Sequence, residues 1–473
     1  MIQLLLPKKI LKYKDASNLN ALKVKKPLQV VLRGDKEWKE SLTAVKGSGY
    51  LILDFGKEMH GGIRIITGKC SNSVSIRLRF GESLSEACSD IGVKGATNDH
   101  SPRDFNAVLP CYADIKLGQT GFRFVRIDFL DDGEFCIQNV FCENNILNKK
   151  AIYRYDGKDK HVKKIFDTAK RTVDLCASSG YVWDGIKRDR LVWVGDMHPE
   201  MLALATLYGR VEEVERSLEF VREQTPASLW MNGIATYSMW WAIIVADYYF
   251  ITGCEDFTKR QIGYLQQLVG RFNETVNENG HIDHNWYFVD WPTCGSPDEE
   301  AGVRAINILA INKIIALFEK FGINTDLAKN VLKKLNVKEI TVKKMKQVVG
   351  LKYLAEGEIS DQEYALITEG GAKGLSTFMS YYILSAIASR DKELALDIMK
   401  EYYGAMLSIG ATTFFEDFDM NWLENSSRID KLPKKNQLDI HGDFGKHCYE
   451  GFRHSLCHGW SSGVIRFIYE TQK

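Results

Sequence analysis

The sequence predicts a two-part fold, a β-sandwich over residues 1–150 followed by a helical domain over residues 151–473. Two observations predict it. Apolar residues alternate with period two in the first part and recur at the helical spacing of about 3.6 in the second, with the change near Ala151. A chain of 473 residues, 45% of them hydrophobic, also has the length and the apolar content for two or three cores rather than one.

In the first part, Val74, Ile76, Leu78 and Phe80 alternate with Ser75, Arg77 and Arg79, the pattern of a half-buried strand. Val125, Ile127 and Phe129 share one face of a second strand over Phe122–Phe129. Tyr50–Ile65 reads as two strands around Gly56 and the Gly61-Gly62 pair. Short strands joined by glycine and Asp132-Gly133 turns argue for a sandwich rather than a parallel sheet. From Glu82 to Val108 the chain is polar with little strand pattern, a length of loop that either covers another domain or meets a substrate.

In the second part, Val162, Ile165, Phe166, Ala169, Val173 and Cys176 form one helical face. Leu375, Phe378, Met379, Tyr382, Ile383 and Ala386 form another. The helix near Glu300 carries two apolar stripes and so packs on two sides. Further helices follow Pro199, Val211, Tyr237, Phe257, Asp326, Val342, Lys392 and Trp460. About a dozen helices without a fixed repeat fit a toroid better than a repeat array.

With 62 basic and 61 acidic residues the net charge is +1, so the composition indicates neither nucleic acid nor a membrane surface as partner. This balance leads us to expect a neutral or small partner, and self-association into a homo-oligomer stays open. Ile2–Leu6 is a short apolar run ending at Pro7, with Lys8 and Lys9 after it, unlike a secretory signal. The 10 cysteines show no CxxC pair or zinc spacing, which reads as reduced thiols in a cytoplasmic protein with no metal site.

Chemistry gathers where the helical pattern breaks. Asp184, Arg188, Asp189, Arg190, Trp193 and Asp196 lead into a helix; Trp286, Asp290 and Trp291 lead into another. Glu416 and Asp417 follow a helix ending near Ser408, and Ser455, His458 and Trp460 precede the last one. Two carboxyl groups facing one glycosidic bond divide the labour of hydrolysis, and aromatic faces stack on sugar rings. The plainer readings are structural ion pairs for the arginines, a core histidine at His458, and core aromatics at Trp291 and Trp460.

Asp184 to Asp196 resembles the acid motif of the α-L-rhamnosidases of glycoside hydrolase family 78, and Thr412 to Glu416 resembles their base motif with Phe415 in place of Trp. Leu53-Asp54-Phe55-Gly56, Phe80-Gly81-Glu82 and Gly121-Phe122-Arg123-Phe124-Val125 resemble the sandwich that precedes the family's catalytic domain. Val289-Asp290-Trp291 and Ser455 to His458 resemble two further family motifs. The resemblance implies an (α/α)6 barrel of the six-hairpin glycosidase type, and an inverting exo-hydrolase of terminal α-L-rhamnosyl or a related sugar without cofactor. Glu416 is then the base. The family's acidic Glu is absent, because Arg188-Asp189-Arg190 is one residue shorter than the family's Arg-Asp-Glu-Arg; Asp189 is the nearest replacement and Asp184 the second. Arg188, Trp193, Asp196, Asp290, Trp291, His458 and Trp460 are the implied sugar contacts. Another hydrolase of this architecture, such as an unsaturated glucuronyl hydrolase, and a carbohydrate-binding protein that has lost its acid are the competing readings.

Overall fold

The computed structural model describes residues 2–30, 42–284, 286–446 and 450–472. Strands β1 (Ile2–Leu5), β2 (Lys9–Ser17), β3 (Thr43–Cys70), β4 (Val74–Gly81), β5 (Asp104–Leu109), β6 (Asp114–Phe129) and β7 (Glu134–Asn145) form one antiparallel sheet. The order is β1-β7-β3-β6-β4-β5, with β2 on β3. Alternate residues of these strands, among them Leu51, Leu53, Ile63, Ile65, Ile76, Leu78, Val125, Ile127 and Val140, fill a single apolar core.

The segment read as two strands, Tyr50–Ile65, lies within β3, one long strand that pairs with β2, β6 and β7. Against β6, Asp54 pairs with Phe124 and Met59 with Phe122, so Phe55–Glu58 bulges out of the ladder. The apolar run at the N-terminus is β1. Nor is the polar stretch loop throughout. It holds a short helix, α1 (Leu84–Cys88), and the edge strand β5, whose Phe105, Ala107 and Leu109 alternate too briefly among polar residues to stand out.

The described α-helices after residue 150 form one series: α2 (Lys160–Cys176), α3 (Met197–Tyr208), α4 (Glu212–Gln224), α5 (Ala235–Thr252), α6 (Glu255–Thr275), α7 (Glu299–Lys320), α8 (Asp326–Leu335), α9 (Lys346–Glu356), α10 (Asp361–Thr368), α11 (Ser380–Ala388), α12 (Lys392–Ser408) and α13 (Val464–Thr471). Contacts run from α3 to α5, α7, α9, α11 and α13 and return to α3. All twelve residues of α3 are buried, and α5 and α7 are apolar on most of their circumference. By contrast α2 and α8 bury one stripe only, as helices packed on one side do. α7 is long and apolar enough to cross a membrane by length and composition alone, yet it packs between α5 and α9.

Two helical expectations need correction. Leu375, Phe378 and Met379 lie ahead of α11 rather than on it, because the Ser376 hydroxyl accepts the Met379 N–H and shapes a turn. α10 is an unforeseen helix, started by a capping box in which Ser360 and Glu363 satisfy each other's backbone N–H. The nine described cysteines are all free, while Cys448 lies outside the described residues.

Candidate active site

The turn from Asp184 to Leu191 is closed on itself and then pinned to the last site loop. Asp184 N–H donates to Leu191 O at 3.2 Å, Leu191 N–H returns to Asp184 Oδ1 at 3.0 Å, and Gly459 N–H donates to Asp184 O at 2.7 Å. At its tip Asp189 and Arg190 have φ of 50° and 53°, a left-handed conformation costly for residues with a Cβ. The contacts that hold this tip explain why the strain persists.

Arg188 is the hub. Its Nη1 donates to Asp189 Oδ2 at 2.6 Å, its Nη2 to Glu416 Oε1 at 2.8 Å, and its Nε to Arg453 O at 3.2 Å. One buried guanidinium thus bridges the two carboxylates expected to be acid and base. Glu416, 1% exposed, also accepts Ser455 N–H on Oε2 at 2.9 Å, and its carbonyl accepts the indole N–H of Trp460 at 2.8 Å. His458 Nε2 faces Glu416 at 3.5 Å, Asp196 at 3.8 Å and Asp184 at 4.0 Å. Burial, reinforced by Arg188, drives the His458 pKa well below its usual range, so the ring is neutral. Nε2 thus lies among three carboxyl groups, while Nδ1 is buried without a hydrogen-bond partner among the described residues.

Burial, and then the neighbouring Asp189 and Asp196 charges, push the Asp184 carboxyl well above the usual range. Burial raises Asp196 as well, against the pull of the Tyr237 hydroxyl that donates to it at 2.9 Å. Burial thus favours the neutral form of both acids beside the paired Asp189 and Glu416.

The sheet forms the back of this site, and the three sandwich motifs are its docking points. Arg123 Nε and Nη2 fork onto Asp54 at 2.9 and 3.1 Å, while Nη1 donates to Gly410 O, one residue before Ala411-Thr412-Thr413. The bulge at Phe55–Glu58 lets Glu58 N–H reach the Thr412 hydroxyl at 2.9 Å. Glu82 accepts from Leu456 N–H at 2.6 Å and from the Ser455 hydroxyl at 3.3 Å. Gly121 must be glycine: a Cβ there would lie 2.8 Å from Lys187 N and 2.7 Å from the Ile186 side chain. Lys187 runs the other way, its ammonium 3.0 Å from Glu82 and 3.4 Å from Glu86, donating also to the carbonyls of Phe452, at 2.8 Å, and of His454. Glu82, Glu86 and His441 come close enough together to hold a cation, and the Lys187 ammonium supplies one.

Asp184, Arg188, Asp189, Asp196, Glu416 and His458 thus meet in one network. The remaining expected residues stand around it. Trp193 packs edge-on to Tyr237, the partner of Asp196. Asp290 accepts from Thr293 N–H and the Ser376 hydroxyl, and the next residue, Thr377, donates to Glu416 O. Trp291 packs on Phe288. Trp460 is sandwiched between Phe378 and His458, with its N–H spent on Glu416, so it fixes the base loop.

Sequence reasoning missed Glu82, His100, Lys187, Glu200 and Tyr237. Glu200 is fully buried on α3 with both carboxyl oxygens unpartnered among the described residues, and burial followed by the Asp196 and Asp184 charges raises its pKa well above the usual range. Its position four residues after Asp196 on one helix was the available signal.

No protein-family model matches the chain, and no curated protein matches it in sequence. Solved structures do match. A rhamnosidase from Klebsiella oxytoca, with rhamnose bound, superposes with a TM-score of 0.75 at 18% identity, over 100% of this chain and 96% of that one. The GH78 family rhamnosidase of Bacillus sp. GL1 matches with a TM-score of 0.71 at 19% identity, over 95% of this chain, which spans about half (48%) of that protein. An α-L-rhamnosidase from Dictyoglumus thermophilum gives a TM-score of 0.63 at 15% identity, over 89% of this chain and 49% of that one. An antiparallel sheet docked on a helical series, superposable from end to end on the Klebsiella protein, identifies the chain's architecture as a GH78 rhamnosidase-like fold.

Proposed function

We propose that the chain is an inverting exo-glycoside hydrolase that removes a terminal α-L-rhamnosyl or related sugar from an oligosaccharide or glycoside. The observation that carries this reading is the Arg188 bridge between Asp189 and Glu416, set at the meeting point of loops from one end of the helical series. In this reading the sheet is the β-sandwich, and the helices form an (α/α)6 barrel with α3, α5, α7, α9, α11 and α13 inside. The return of contacts from α13 to α3 and the all-round burial of α3 support it.

Glu416, steadied by Arg188 and Ser455 N–H, takes a proton from the water that attacks the anomeric carbon. Asp189 protonates the departing oxygen. Asp184 and Asp196, whose neutral forms burial favours, donate hydrogen bonds to sugar hydroxyls, and the unpartnered Nδ1 of His458 offers one more contact. Arg188, Trp193, Asp290 and Trp291 complete the sugar site. The two carboxylates are bridged through different nitrogens of one guanidinium; an inverting pair stands ~6.5–9.5 Å apart, which leaves room for water.

One observation favours a second reading, a carbohydrate-binding protein: Asp189, the group cast as proton donor, spends one carboxyl oxygen on a 2.6 Å ion pair with Arg188. A panel of nitrophenyl glycosides together with natural rhamnosides separates the two. Glu416→Gln keeps the shape of the base and removes its function, so turnover should fall about 10²–10⁴-fold with little change in sugar affinity. Rhamnose binding without hydrolysis of any member of the panel by the unmodified protein would favour the binding protein.

A further inference from the structure

A loop of the sheet domain reaches the site at the residue whose protonation is the difficulty. His100 Nε2 lies 3.2 Å from Asp189 Oδ1, the oxygen that Arg188 does not hold. The approach is built rather than incidental. Arg190 donates through Nη2 to His100 O at 2.8 Å and through Nη1 to Gln119 O at 3.0 Å, and Arg453 pairs with Asp99 at 2.6 Å. His100 itself has φ of 61°, so three non-glycine residues in the left-handed region, His100, Asp189 and Arg190, sit at one contact. Strain concentrated where two loops latch is a mark of a geometry under functional constraint. Side-chain exposure steps down along the path, 40% at His100 and 10% at Asp189, ahead of the buried Asp184 and Asp196.

We propose that His100 is the proton-relay and positioning partner of Asp189, so that the acid of this site is a pair assembled from both domains. The proposal rests on the hydrolase reading above. The groups facing Asp189 are Arg188 on one oxygen, His100 on the other, and Asp184, Asp196 and His458 from the buried side. Those around His100 are Asp189, Arg190 and the Asp99–Arg453 pair. An imidazolium at His100 passes its Nε2 proton to Asp189 Oδ1, leaving a neutral ring and a carboxylic acid. That acid protonates the glycosidic oxygen as its bond to the anomeric carbon breaks, while water gives one proton to Glu416 and bonds to that carbon. Glu416 then releases its proton to solvent and His100 takes one up, so that only water is consumed.

The role is visible in leaving-group dependence. A nitrophenolate departs with little help from an acid, whereas an alkoxide needs a proton. In His100→Gln, which keeps an amide donor but no titratable proton, kcat on an alkyl α-L-rhamnoside should fall about tenfold or more, with less than about threefold change on 4-nitrophenyl α-L-rhamnoside. In His100→Ala, added imidazole should restore the alkyl rate at least in part. Parallel losses on both substrates without imidazole rescue mean that His100 is only structural, and unchanged kinetics mean that it has no role; either overturns the relay while leaving the hydrolase reading intact. An unmodified protein that hydrolyses neither substrate overturns both.

Discussion

Replacing Lys187 with Met tests whether the buried link between sheet and site holds the turn from Asp184 to Leu191. The ammonium sits among Glu82 and Glu86, 0% and 1% exposed, and the carbonyls of Phe452 and His454. Removing it strands two buried carboxyl groups, a defect that costs about 3–5 kcal/mol when one partner of a buried pair is lost. The loss depends on pH, and its sign follows from Glu82. Burial pushes that carboxyl up to about 7 while the Lys187 ammonium pulls it down, so without Lys187 it rises further. A folded-state pKa above the unfolded value means that the folded protein keeps a proton the unfolded chain has lost, so stability falls as pH rises through the interval between the two. In Lys187→Met that interval extends above 7. Urea unfolding should therefore show the full loss near pH 8 and a smaller one near pH 5, where Glu82 is neutral and the missing contacts are those to Glu86 and to the two carbonyls. A loss below about 1 kcal/mol at pH 8, or the same loss at both pH values, would refute the reasoning.

Two further experiments probe the buried acids. A Cβ at Gly459 would stand 1.4 Å from Glu200 Oε1, and Glu200 is enclosed, so Gly459→Ala should destabilise by about 1–3 kcal/mol; Glu200→Ala in the same chain should recover most of it in a thermal-unfolding cycle, and additive losses would count against the contact. Because burial favours the neutral form of Asp184, Asp184→Asn keeps a neutral donor and should change the KM for rhamnosides less than Asp184→Ala; an Asn variant as impaired as Ala would mean that the charge is needed.

The period change marked the passage from sheet to helices, and the acid and base motifs marked the residues that Arg188 joins. Those signals are local. What the sequence hid was reciprocal: Asp54-Phe55-Gly56, Phe80-Gly81-Glu82 and Gly121-Phe122-Arg123 read as strand motifs, but Arg123, Glu58 and Glu82 bind Gly410, Thr412 and Leu456 across the chain. No periodicity encodes a partner more than 280 residues away. Lys187 and Glu200 were missed for a related reason: a charged side chain reads as solvated surface until its burial is known. His100 sat in a stretch for which both a domain contact and a substrate contact stood open; the structure makes it a contact across the two parts, on Asp189.

The stereochemistry of the first product tests the central claim most directly. Proton NMR of an α-L-rhamnoside during its first turnovers by the unmodified protein should show the β-anomer of the released sugar ahead of mutarotation, as expected if Glu416 activates water across the site from Asp189. The α-anomer appearing first would make the mechanism retaining and contradict the assignment of Glu416 as a base.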